Sequence, residues 1–177
     1  MVHVVVTGGA GFLGARLARE ILKAGTLGAA GGPPGPVTKI TLIDQAPAPA
    51  DLTADDRVTA VRSDLTELGS GALGGADVVF HLAAAVSAEC EADFDLGIHA
   101  NLHGTEALLA ACRALGSGPV VVFASSAARS AGTGAWSMSV IFVTGPGGPP
   151  ATPSVPALRI SLVSRAPRNP APPVTTT

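Results

Sequence analysis

The stretch Val4-Val-Val-Thr-Gly-Gly-Ala-Gly-Phe-Leu-Gly14 restricts the fold more than any other part of the chain. A run of valines ends in clustered glycines, and a helical apolar pattern follows at once. An apolar run without alternation suits a strand buried on both faces. Read from Gly9, the residues spell G-x-G-x-x-G. Gly8 suits the tight turn, Gly11 lets backbone N–H groups approach a pyrophosphate, and Gly14 lets the helix pack against the strand. The helix start then presents unpaired N–H groups and the positive end of its dipole to the phosphates. A glycine-rich turn without a ligand is the alternative. The strand before the motif and the helix after it favour the dinucleotide.

Along the chain, strand and helix patterns alternate. Leu13, Leu17, Ile21 and Leu22 recur at helical spacing among charged residues, which predicts an amphipathic helix stopped at Gly25. Thr26 to Val37 is rich in Gly and Pro and reads as a loop. Lys39 to Ile43 reads as the second strand, closed by Asp44. An acid at this place suits hydrogen bonding to the adenosine ribose. Asp44 lies 30 residues beyond Gly14, and the 12 residues from Thr26 to Val37 account for the excess over the usual spacing. Its charge would repel a 2′-phosphate and so favours NAD over NADP. A plain turn residue before Gln45 and Ala46 is the alternative.

Arg57 to Arg62 alternates and predicts the third strand. A short helix to about Leu73 is expected after it. Asp64 stands at the strand's end, either beside an adenine or as a helix N-cap. Asp77 to Leu82 predicts the fourth strand. The small residues Ala83, Ala84 and Ala85 after it would let a cofactor lie against backbone. His81 on that buried strand has no carboxylate or Cys spacing near it, and reads as a satisfied core histidine. A helix is expected from about Glu91 to Leu115, with Ile98, Leu102, Leu109, Cys112 and Leu115 as its apolar face. Gly104 within it calls for close packing against another backbone. Pro119 to Phe123 predicts the fifth strand, followed by Ser125 and Ser126.

This alternation predicts an α/β fold: a Rossmann-like doubly wound parallel sheet in the order 3-2-1-4-5. Ligands of such sheets bind outside the carboxyl ends of the strands, where every residue singled out falls. Hydrophobic residues make up 47 % of the 177, enough for one domain with a core. A net charge of −2 argues against nucleic acid or an anionic membrane as partner, and no apolar run has the length of a membrane span. Cys90 and Cys112 make neither a disulfide framework nor a metal site. With a strand starting at the second residue there is no room for a leader, so a cytoplasmic protein is expected.

Together, Thr7-Gly-Gly-Ala-Gly-Phe-Leu-Gly14, Asp64-Leu65, His81-Leu-Ala-Ala84, Asn101-Leu-His-Gly-Thr105 and Phe123-Ala-Ser-Ser126 resemble the extended short-chain dehydrogenase/reductases. This is the NAD-dependent epimerase/dehydratase family. The segment Val86 to Gly97 looks most like its D-erythronate dehydrogenase branch. The resemblance covers Met1 to about Ala127. It implies hydride transfer between NAD and a sugar acid or nucleotide sugar, with a homodimer compatible. By that resemblance Gly8, Gly11, Phe12, Leu13 and Gly14 hold the pyrophosphate, and Asp44 the ribose. Asp64 and Leu65 flank the adenine, and Leu82, Ala83, Ala84 and Val86 line the nicotinamide path. Asn101 resembles the helix Asn that holds a proton-relay water. Ser126, with Ser125 beside it, resembles the hydroxyl that polarises the reacting group.

The family's proton transfer uses a Tyr-x-x-x-Lys pair. This chain has no Tyr, and its only lysines are Lys23 and Lys39. General acid–base help is typically worth about 10²–10⁴-fold, so the chain as it stands is expected to bind nucleotide rather than turn over. A regulatory pseudoenzyme or a non-functional truncated product are the alternatives. Residues 1–126 are expected to form the NAD-binding domain and 127–177 an atypical tail. That tail has no Asp or Glu and carries nine prolines from Pro146 to Pro173, so it reads as partly disordered. Without a sixth strand, Val120 to Phe123 would be an apolar edge that invites pairing. Ser139 to Val143 or Ala157 to Val163 could cover it; otherwise the edge is open.

Overall fold

The computed structural model describes residues 1–28, 33–69, 71–127 and 137–143. Strand β1 (Val2–Thr7) lies at the centre and is buried along its whole length. Its pleat sends Val4 and Val6 to one core layer and Val5 to the other. On the first side α1 (Phe12–Ala24) packs Ala15, Leu17, Ala18 and Ile21 against the sheet. On the second, Leu108 and Cys112 of α5 (Gly104–Ala114) and Leu65 cover Val5 and Val79. A strand covered on both faces has no use for alternating polarity, which is why the valines run unbroken.

β1 pairs in parallel with β3 (Gly35–Asp44) and with β5 (Val78–His81). β4 (Val58–Arg62) extends the sheet beyond β3, and β6 (Val120–Ala127) extends it beyond β5, both in parallel. The five parallel strands therefore take the expected order 3-2-1-4-5. The register sets Ile43, Thr7, His81 and Phe123 side by side across four of them. Among the described residues, no helix is long and apolar enough to cross a membrane.

Several elements depart from the sequence expectations. The expected loop after α1 contains β2 (Thr26–Leu27), which pairs antiparallel with Pro36 and Gly35. The chain turns back at Gly25, whose carbonyl accepts the Val37 N–H at 2.9 Å, and β3 starts four residues before Lys39. The helix expected to run to Leu73 is only a single 3-10 turn, Leu65–Glu67; the glycines that follow favour turns. The short α2 (Ala50–Thr53) buries Leu52.

The long helix is interrupted. α3 (Ser87–Ala92) stops before Asp93, whose carboxylate caps α4 (Phe94–Gly97) through the Leu96 N–H. A π turn, Ile98–His103, then leads into α5. The wider turn shifts the phase of the helix. Leu108 is fully buried, whereas Leu102 is 56 % exposed and Leu109 40 % exposed, both from the expected apolar face. Gly104 packs not on backbone but against the Leu65 side chain, where a Cβ would meet Leu65 Cβ at 3.4 Å.

At the sheet's edge the structure follows one of the sequence expectations. β7 (Ser137–Val143) covers β6, antiparallel to it, with Ala127 opposite Ser137 and Val121 opposite Val143. Of the two candidates, the one around Ser139 to Val143 takes the edge. Ala157 to Val163 and the Pro-rich stretch lie outside the described residues.

Candidate functional site

An open cleft of about 580 Å³ runs along the carboxyl ends of β4, β3, β1 and β5. Its floor is the turn between β1 and α1. Gly8 has a φ of +68°, and a Cβ on it would lie 2.8 Å from the Ala83 backbone nitrogen. A Cβ on Gly14 would run into the Gly8 carbonyl oxygen and come within 2.9 Å of Gly9 Cα. Both positions therefore demand glycine for reasons of backbone approach. Gly11, Phe12 and Leu13 line the same floor, and Phe12 is 77 % exposed. The N–H groups of the first turn of α1 have no intrahelical acceptor, and the Gly11 cap offers no side chain to satisfy them. They suit an anion.

Asp44 stands beside this floor at the end of β3. Its Oδ2 accepts the Ala10 N–H and its Oδ1 the Ala46 N–H, each at 2.9 Å. The carboxylate is thus both a turn residue and a brace for the glycine loop, and it lines the cleft.

Asp64 likewise has two functions. Its Oδ1 caps the 3-10 turn, accepting the Thr66 N–H and hydroxyl at 2.8 Å each. Its Oδ2 accepts the Gln45 amide at 2.7 Å and lies 3.2 Å from His99 Nε2. The Thr66 backbone N–H, aided by the Thr66 hydroxyl and His99, holds this carboxyl below its usual range. Leu65 lines the cleft beside it. Gln45, Ser63, Glu89, Leu96 and Ala100 also line the cleft without having been singled out from sequence, as does Gly104, which the sequence marked only for close packing. Gln45 and His99 reach Asp64 only through tertiary packing, since His99 lies 35 residues away along the chain. Being two residues before Asn101 was the one local signal.

Leu82, Ala83, Ala84 and Ala85 form the opposite wall. Val86 is 61 % exposed and stands outside the lining; it opens α3, with the Glu89 carboxylate accepting its N–H at 3.0 Å. Behind this wall lies a chamber of about 100 Å³ bounded by His81, Leu82, Ala83, Ala84, Asn101, Thr105, Phe123 and Ala124. The Asn101 side chain clamps Ala85 from both sides: Oδ1 accepts the Ala85 N–H at 2.8 Å, and Nδ2 donates to the Ala85 carbonyl at 3.1 Å.

His81 is 2 % exposed, and hydroxyls flank both ring nitrogens: Thr7 Oγ1 at 2.8 Å from Nδ1 and Thr105 Oγ1 at 2.9 Å from Nε2. Burial pushes its pKa down from 6.5 to about 4. It is the satisfied, neutral core histidine expected from sequence. Ser125 and Ser126 fall in β6, in register with Ser139 and Met138.

The profile of the NAD dependent epimerase/dehydratase family matches residues 4–136. The D-erythronate dehydrogenase of Cupriavidus necator is 47 % identical over 129 residues, covering 71 % of this chain and 39 % of that protein. The solved nucleoside-diphosphate-sugar epimerase of Agrobacterium tumefaciens is 39 % identical with a TM-score of 0.55, covering 69 % of this chain and 36 % of that one. A mutant uronate dehydrogenase of the same organism, solved with NAD, is 27 % identical with a TM-score of 0.54, covering 71 % and 41 %. The chain thus spans well under half the length of the relatives it matches.

Proposed function

Because the chain belongs to the NAD dependent epimerase/dehydratase family, we propose that residues 1–126 are its NAD-holding domain and that the reaction they serve is hydride transfer on a sugar-derived hydroxy acid. The observation that carries this reading is one continuous cleft. It leads from Asp64, past Asp44 and the Gly8–Gly14 turn, to the alanine wall in front of Asn101. In this reading the adenine lies between Asp64 and Leu65, and Asp44 takes the adenosine ribose. The pyrophosphate lies on Gly8, Gly11 and Gly14, with Phe12 and Leu13 at the helix start. Leu82, Ala83 and Ala84 line the nicotinamide path, with Val86 at its outer end. Asn101, Ser125 and Ser126 stand nearest the reacting carbon. The sugar-acid class is favoured by the D-erythronate and uronate dehydrogenases among the similar proteins.

When bound, NAD supplies the hydride acceptor; this chain's part is to bind and orient it. The chain has no Tyr and no Lys beyond Lys39, so the family's proton-transfer pair is not among its residues. The expected result is saturable NAD binding by calorimetry, with no NADH formed from D-erythronate or a uronate above the no-protein blank. Turnover would overturn the expectation that this chain lacks the proton-transfer step, and absence of binding would overturn the NAD reading itself. The reading also places the protein in the cytoplasm. It is also compatible with a homodimer.

Asp44→Asn tests the ribose contact. It keeps an oxygen for the Ala10 N–H but removes the charge that faces a 2′-phosphate. The NAD-to-NADP affinity ratio is expected to fall about tenfold, equivalent to about 1.4 kcal/mol, read by titrating each nucleotide. An unchanged ratio would remove Asp44 from the ribose.

A further inference from the structure

We propose that His81 is a positioning residue for the nicotinamide end of the cleft: its imidazole, wedged between the hydroxyls of Thr7 and Thr105, ties together the two groups that hold the Leu82–Ala85 wall. This rests on the NAD reading above.

The wall is held at both ends. At one, the Leu82 and Ala83 N–H groups donate to Thr7 Oγ1 at 3.2 and 3.3 Å. At the other, the Asn101 amide clamps Ala85. Thr7 belongs to the strand that leads into the glycine turn, and Asn101 to the π turn before α5. His81 bridges them. Its Nδ1 meets Thr7 Oγ1 and its Nε2 meets Thr105 Oγ1, whose hydroxyl donates to the Asn101 carbonyl at 2.7 Å.

These contacts leave one proton assignment. The Thr105 hydroxyl has given its hydrogen to the Asn101 carbonyl, so it can only accept from His81, and Nε2 carries the ring proton. Thr7 Oγ1 already accepts two backbone N–H groups, so its hydrogen goes to Nδ1. The chain of bonds therefore runs in a fixed direction on each side of a neutral ring. It occupies a buried place where an unmet partner would be costly. The ring also rests against Phe123, with centroids 5.4 Å apart, and forms part of the wall of the chamber behind Ala83 and Ala84. No imidazole atom needs to touch the cofactor for the wall to depend on it.

A merely structural histidine would lower the affinity of every nucleotide alike. A positioning residue at the nicotinamide end would spare ligands that lack nicotinamide. The test compares NAD with ADP on the full chain. His81→Phe keeps a ring against Phe123 and removes both hydrogen bonds. His81→Gln keeps a donor for Thr105 and loses the Thr7 arm. The expected result for His81→Phe is NAD affinity about tenfold lower with ADP affinity within about twofold of wild type, and an intermediate loss for His81→Gln. An equal loss for both ligands, or none for either, overturns the proposal. Wild-type protein that binds ADP but not NAD would overturn the NAD reading and the proposal with it. The nucleotide-free protein gives an independent readout. ¹⁵N NMR of wild type should show Nε2 protonated and Nδ1 bare. The Leu82, Ala83 and Ala85 amide resonances should shift in His81→Phe while those of Ala10 and Gly11 stay in place. The opposite tautomer, or unmoved wall amides, also overturns it.

Discussion

Gly14→Ala is expected to abolish measurable NAD binding and to lower the melting temperature by about 6–12 °C, equivalent to about 3 kcal/mol. The added methyl would meet backbone only: the Gly8 carbonyl, whose carbon would lie 2.8 Å away, and Gly9 Cα at 2.9 Å. Neither can step aside. The Gly8 carbonyl already accepts the Gly11 N–H at 3.1 Å, and the Gly9 N–H is tied to the Ile43 carbonyl at 3.3 Å. The clash is relieved only by moving α1 away from β1, which draws Ala15 and Ala18 out of a core layer where both are buried. Moving α1 also takes its first-turn N–H groups off the cleft floor, so stability and binding fall together. Gly11→Ala is the control for stability alone, since Gly11 also faces the pyrophosphate in the reading above. Its methyl would meet a single atom, Gly8 O, at 3.2 Å, and a shift of a few tenths of an ångström relieves it. Thermal unfolding of both variants and NAD titration of Gly14→Ala check the contrast. A Gly14→Ala protein with wild-type melting temperature and affinity would mean that the turn is far softer than its packing implies.

Acid should weaken the fold well before the carboxylates titrate. His81 has its folded pKa lowered from 6.5 to about 4 by burial. A group lowered in this way contributes stability that is fully present above 6.5. As pH falls from there toward 4, the unfolded chain takes up a proton that the folded chain refuses, and stability drops. Across that window the loss is about 3 kcal/mol. His3, also lowered by burial with Lys39 adding to the effect, acts in the same direction. Asp64, held below its usual range by the Thr66 N–H, loses its contribution only at lower pH. Denaturant unfolding at pH 7 and pH 4.5 should therefore differ by most of the His81 contribution, and His81→Phe should flatten the difference. An equal difference in wild type and variant would assign the acid sensitivity elsewhere.

Much of the fold was legible because its signals are local. The valines of β1, the glycines after them and the apolar spacing of α1 each follow from a single element's own periodicity. Asp44 was legible because an acid at a strand end after a glycine motif has a definite position. What was missed depends on long-range geometry or on phase. The β2 hairpin follows from the chain doubling back at Gly25 to meet Gly35 and Pro36. The apolar face expected for the long helix holds at Cys112 and Leu115, but the π turn breaks its phase, so that Leu102 and Leu109 are exposed and Leu108 is buried. Gln45 and His99 reach Asp64 from separate elements, and no spacing rule joins them. His81 was rightly read as a satisfied core residue, but its two hydroxyl partners, one on β1 and one on α5, belong to the folded chain alone.

The reversed direction of β7 determines where the chain is delivered. The parallel strands all finish at the end of the sheet that carries the cleft, whereas β7 begins at that end, with Ser137 beside Ala127, and finishes with Val143 beside Val121. At about 3.4 Å per residue the strand carries the backbone about 20 Å from the nucleotide floor. A parallel last strand would have released the following residue at the mouth of the site. β7 instead ends with Val143 at the opposite rim of the sheet, about that distance from the end where the cleft lies.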